Sequence, residues 1–132
     1  NLIWAAKRAP QVSLTVEPIN PGDMPGYFLA DFDLAAEILD EVAAPNLALQ
    51  FDVYHAQTIT DDALATWDKH CHRVRHIQIG GFPGRYEPIR GAIDYPAFFK
   101  RLDADGYQGW VSAEYNPATT TAEGLSWLRA QG

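Results

Sequence analysis

The chain has 132 residues, 47% of them hydrophobic and 20% charged, enough for one packed domain spanning 1–132. A formal net charge of −7 argues against a nucleic acid or an anionic membrane surface as partner, because both attract clustered Lys and Arg. A single cysteine, Cys71, excludes an intrachain disulfide, and no apolar run approaches the roughly 18 residues that cross a bilayer, so a reducing, cytoplasmic setting is expected.

Local signals alternate between α and β along the chain. The opening NLIWAAKRAP reads as the end of a helix closed by Pro10, with no initiator Met and no signal-peptide pattern, so a piece of a longer chain is expected. A strand is predicted over 12–19 (VSLTVEPI), followed by a Pro/Gly-rich loop over 20–26. A helix over 33–42 has Asp31 or Asp33 as its N-cap and Pro45 beyond its end. The second strand covers 47–54 (LALQFDVY), and a helix over 61–70 follows with Thr60 as its cap. The third strand is 74–79 (VRHIQI), and the loop over 80–92 after it is rich in Gly and Pro. A helix over 95–103 ends at Asp105-Gly106, a C-cap pair. The fourth strand is 110–115 (WVSAEY), and a last helix over 121–130 has Glu123 in its first turn.

Trp4, Trp67 and Trp127 fall at helix positions and are expected in the core. Lys69, Arg73 and Arg75, with His70 and His72, read as a solvated helix end whose cations sit near the C-terminus. Four strand–helix units in series, spaced near the ~30 residues of a βαβ unit, imply a parallel sheet covered by helices. No G-x-G-x-x-G turn and no P-loop lysine motif follows any strand, which speaks against a nucleotide-binding sheet.

Each predicted strand closes on a polar residue that an apolar core would not hold: Glu17, Asp52, Gln78 and Glu114. Their separations are 35, 26 and 36 residues (52−17, 78−52, 114−78), so each occupies a similar place in its own βα unit. In a closed parallel barrel, C-terminal strand ends meet at one mouth, and active sites are built there. Three carboxylates at one mouth repel unless a cation or protons compensate, and an oxygen-rich donor set suits Mg²⁺ or Mn²⁺. Alternation along strands puts His76 on the face of Gln78 and Gln50 on the face of Asp52, while His55 follows Asp52 into the mouth. The loop GFPGRYEP over 81–88 offers Arg85 and Glu87, and arginine suits bidentate recognition of a carboxylate. His55, His76, Arg85 and Glu87 are therefore the candidate substrate-binding residues, and the loop over 20–27 is a candidate lid.

Several segments resemble the hydroxypyruvate isomerases and their near relatives among the xylose-isomerase-like barrels. They are VEPIN with DMPGYF (16–20, 23–28), PNLALQFDVYH (45–55), HIQI with PGRYEP (76–79, 83–88), GAIDYPAFFKRLDADGYQGWVSAEYNP (91–117) and LSWL (125–128). The resemblance implies a (β/α)₈ TIM barrel, present here as its C-terminal half of four βα units. It also implies that Glu17, Asp52, Gln78 and Glu114 bind the metal and that Glu17 and Glu114 double as the acid/base pair. Glutamine at 78 favours this branch over the sugar epimerases, which place a histidine there. Ala92 departs from the pattern, which commonly has Glu after the glycine matching Gly91.

The activity implied is metal-dependent isomerisation of hydroxypyruvate to tartronate semialdehyde, or of a similar small 2-oxo acid, by proton transfer through an enediolate. Other readings are a 2-oxo-tetronate-type isomerase or sugar epimerase, a non-catalytic half-barrel that self-associates, and a metal-dependent endonuclease acting at abasic DNA. Four parallel strands leave two open edges, so pairing with a second copy or with the missing N-terminal half is expected.

Overall fold

The computed structural model describes residues 1–129. Four parallel strands lie side by side in chain order: β1 (Leu14–Val16), β2 (Leu47–Asp52), β3 (Val74–Ile79) and β4 (Trp110–Ala113). Helix α1 (Leu2–Arg8) precedes β1, α2 (Phe32–Val42), α3 (Val53–Thr60), α4 (Ala63–His70) and α5 (Tyr95–Ala104) carry the chain between strands, and α6 (Thr121–Gly124) and α7 (Ser126–Arg129) follow β4. The outer strands are shorter than the sequence predicts. The last helix breaks at Leu125 into two short turns, and Ala130, placed in it by the sequence reading, lies outside the described residues.

Short polar side chains set the helix starts. Asp31 accepts from the amides of Asp33 and Leu34 at 2.7 and 3.1 Å, which settles the N-cap of α2. Asp62, rather than Thr60, caps α4 by accepting from Ala65 N at 2.9 Å, while the Thr60 hydroxyl holds the turn before it. Asp94 caps α5 through Ala97 N, and Gly106, at φ +68, supplies the left-handed turn after it.

The main correction to the predicted elements is α3. The second strand stops at Asp52, and a helix begins at the next residue with Asp52 as its N-cap. Val53 and Tyr54 suit a strand, but Asp52 accepts from the Tyr54 and His55 amides and turns the chain helical at once. Asp61, in the left-handed region at φ 61, then separates α3 from α4.

The core lies between the sheet and its helices. Leu49, Phe51, Val53 and Ile77 are fully buried, and Phe51 packs against Phe32, Trp67 and Phe98 with ring centroids 5.3, 5.5 and 6.3 Å away. Trp67 and Trp127 are buried as expected, but Trp4 is 70% exposed on α1. His70 also departs from expectation. It is buried against the Phe32 ring, with Nε2 3.1 Å from Asp33 Oδ1, whereas His72 is exposed. Lys69 and Arg73 are not loose cations but pair with Asp33 and Asp40 of α2. The opposite face of the sheet is polar: Thr15 donates to Gln50 and Gln50 to Gln78, while His76 pairs separately with Ser112.

Candidate metal centre and active site

The C-terminal ends of the four strands bring Glu17, Asp52, Gln78 and Glu114 to one side of the sheet. Parallel register makes this unavoidable: Asp52 pairs with Gln78, Gln78 with Ser112, and Glu17 and Glu114 follow directly on β1 and β4. Gln50 links the set from one layer below. Its Nε2 donates to Glu17 Oε2 at 2.8 Å and to Gln78 Oε1, and Gln78 Nε2 in turn donates to Glu114 Oε2. The sequence identified Gln50 only as sharing a face with Asp52; its position at the centre of this chain follows from the register.

Asp52 is 1% exposed, and both its oxygens are used. Oδ1 caps α3, and Oδ2 receives Arg85 Nη2 at 2.6 Å. The same guanidinium nitrogen lies 3.2 Å from Glu114 Oε2, so Arg85 is a cation shared by two of the three carboxylates. Arg85 reaches them from a left-handed backbone conformation at φ 54, with its carbonyl pinned by Asn116 N and its guanidinium 5.2 Å from the centre of the Tyr54 ring. Arg85 Nε is buried with no hydrogen-bond partner among the described residues, so an acceptor oxygen placed there would satisfy it.

One guanidinium does not neutralise three carboxylates. Burial, and then the charges of Asp52 and Glu114, push the Glu17 carboxyl up to about 7, against the opposing pull of Arg85 and Gln50. A cluster that raises the proton affinity of its own carboxylate is one that a divalent cation would stabilise. Donor atoms of Glu17, Asp52 and His55 lie within 4.8 Å of one another, and the Gln78 amide and Glu114 adjoin them. This oxygen-rich group fits a hard divalent cation.

His55 stands on the first turn of α3, not in a loop. It is 2% exposed, its Nε2 is 3.8 Å from Asp52 Oδ2, and burial lowers its basicity. Its other ring nitrogen is held by Asn20, which is 1% exposed and which the sequence marked only as part of a candidate lid. No local pattern announces that contact, because it joins positions 35 residues apart.

Two other candidates fall outside the cluster. His76 lies one layer below Gln78, with Nε2 2.7 Å from Ser112 Oγ, and so belongs to the sheet's polar face. Glu87 is not brought to Arg85. It is buried at the far side of the loop, where it accepts from Ala118 N at 3.1 Å and faces Arg90 at 3.4 Å. It ties the β3–α5 loop to the segment after β4, because a loop packed down against a neighbour needs its amides answered.

Parallel βα units with an acidic, metal-fitting cluster at the carboxyl ends of their strands define a barrel of the TIM type, seen here over four units. The chain belongs to the xylose isomerase-like TIM barrel family, whose model matches residues 2–131. It is 44% identical over 131 residues to a 2-oxo-tetronate isomerase of Cupriavidus necator, covering 98% of this chain and 50% of that protein. To the hydroxypyruvate isomerase of Escherichia coli it is 38% identical over 130 residues, covering 97% and 50%. A crystal structure described as an AP endonuclease, family 2, from Brucella melitensis superposes with a TM-score of 0.90 at 40% identity, covering 97% and 50%. The chain thus spans about half the length of the curated relatives it matches.

Proposed function

We propose that this chain forms the metal-binding half of an isomerase that interconverts hydroxypyruvate and tartronate semialdehyde, or the corresponding pair of a four-carbon 2-oxo acid. The observation that carries the reading is the convergence of Glu17, Asp52, Gln78 and Glu114 at four successive strand ends. The names of the relatives support the same class of substrate.

Glu17, Asp52, Gln78 and Glu114 would hold a divalent cation, Mg²⁺ or Mn²⁺. When bound, such an ion supplies Lewis-acid polarisation of the substrate carbonyl and stabilises negative charge developing on its oxygens. The chain's own residues do the rest. One of Glu17 and Glu114 removes the proton from the hydroxyl-bearing carbon, and the other returns a proton to the former carbonyl carbon, while the hydroxyl proton passes to the former carbonyl oxygen, so the carbonyl moves by one carbon with no net redox change. Arg85, with its Nε directed to no protein acceptor, holds the substrate carboxylate. Asp52 keeps Arg85 in place through the 2.6 Å contact.

The remaining units of the barrel would close the site. β1 and β4 pair on one side only among the described residues, and Trp110 on β4 is 82% exposed. These edges are the seams for four further βα units or for a second copy of the chain, since only closure removes open edges.

The test is turnover of hydroxypyruvate in D₂O by the intact protein. Wild type is expected to incorporate deuterium at carbon. Glu114→Gln and Glu17→Gln are each expected to lower kcat by about 10²–10⁴-fold, the usual worth of a positioned acid or base. Full activity in Glu114→Gln would end the assignment. Tight binding of abasic DNA in place of turnover would favour an endonuclease, against the net charge of −7.

A further inference from the structure

The ring of His55 is held in a way that fixes its proton. Two donors converge on Nδ1: the Asn20 side-chain amide at 2.8 Å and the Asn20 backbone N–H at 3.4 Å. A backbone N–H is never an acceptor. The side-chain amide is oriented as well, because Asn20 Oδ1 is taken up by Asp23 N at 2.9 Å, which leaves Nδ2 facing the ring. Asn20 and His55 are both almost fully buried, so water does not compete for these contacts.

From these contacts we infer that Asn20 is a positioning residue which locks His55 as the neutral tautomer with its proton on Nε2, and so makes His55 a hydrogen-bond donor at the carboxylate cluster rather than a metal ligand. Nδ1 is occupied by Asn20. Nε2 carries the proton and lies on the Asp52 side of the ring, 3.8 Å from Oδ2. Neither nitrogen therefore offers a lone pair to a cation, although His55 sits within ligand distance of Glu17 and Asp52. The donor's use, to bind a substrate oxygen as it gains negative charge, rests on the isomerase reading; the tautomer does not.

The same Asn20 side chain caps the turn that starts the loop over 20–27. One residue therefore sets both the loop entering the site and the polarity of the ring beneath it. A change at 20 that keeps size but replaces the side-chain donor, the shorter of the two contacts, with an acceptor should reverse the tautomer. Asn20→Asp does this, since a carboxylate can only accept from Nδ1.

The experiment is long-range ¹H–¹⁵N correlation spectroscopy of the ¹⁵N-histidine-labelled intact protein at neutral pH, with the His55 signals assigned by His55→Gln. The wild-type ring is expected to show an unprotonated Nδ1 and a protonated Nε2. Asn20→Asp is expected to move the proton to Nδ1 or to protonate both nitrogens. A wild-type ring with its proton on Nδ1, or on both nitrogens, would overturn the inference, and that result needs no variant to fold. As a second readout, Mn²⁺ affinity measured by calorimetry is expected to change less than about threefold in His55→Gln, whereas loss of a ligand or its orienting partner costs about 10–100-fold. A loss of that size would give His55 a part in holding the ion, as a ligand or as the partner that orients one, and would overturn the inference as well. Neither readout depends on turnover, so a failed isomerase assay would leave them standing.

Discussion

Arg85 Nη2 lies 2.6 Å from Asp52 Oδ2, and through this contact the loop after β3 is anchored to the end of β2. Asp52 is 1% exposed, so its charge has little water to stabilise it and depends on this guanidinium and on the first amides of α3. Arg85→Met should therefore destabilise the metal-free protein by about 1–3 kcal/mol, the range for loss of a charged hydrogen bond to a buried partner. Urea unfolding at pH 8 measures it; an unchanged midpoint would mean that the pair contributes nothing. Arg85→Lys keeps the charge but loses the planar fork, and is expected to raise KM for the oxo acid about tenfold or more with a smaller effect on kcat.

Glu17 gives the metal-free protein a defined pH response. Its folded pKa, about 7, lies above the ordinary value of 4.5. The unfolded state therefore releases this proton first as pH rises, so the associated stability is complete below about 4.5 and is lost on passing through 7. The melting temperature of the metal-free protein should fall between pH 5 and pH 8, and Glu17→Gln should flatten that fall. Mn²⁺ should restore the loss at pH 8, because a bound cation replaces the proton. A wild-type melting temperature that rises over the same interval would contradict this.

Phe51 is the centre of the apolar layer, fully buried and ringed by Phe32, Trp67 and Phe98. Phe51→Ala should cost about 3–5 kcal/mol, the lost transfer energy plus the cavity left behind. Chemical denaturation checks the value, and a cost below about 1 kcal/mol would show that this layer does not hold the sheet to its helices.

Much of the fold was legible because it repeats. Four apolar β runs, each followed by a helical segment, define a parallel sheet whatever the loops do. The four strand-end residues stood out because Glu17, Asp52, Gln78 and Glu114 close four successive β runs at matching places. The failures have local causes. Val53 and Tyr54 favour a strand by propensity, but the Asp52 carboxylate caps a helix there, and that one side chain decides the boundary. His70, between Lys69 and His72, has the sequence context of a surface residue, yet it falls on the inner face of α4 against Phe32. Glu87 is close to Arg85 in sequence but lies on the other side of the loop, a separation set by loop packing that no periodicity encodes. The Asn20 clasp on His55 was invisible for the same reason.

The carboxylate cluster is tested most directly by isomerisation of hydroxypyruvate by the intact protein, with and without a chelator. The metal-centre assignment requires turnover that stops on chelation and returns with Mn²⁺ or Mg²⁺. Turnover undiminished by exhaustive chelation, or none with hydroxypyruvate or any four-carbon 2-oxo acid in the presence of either ion, would contradict it.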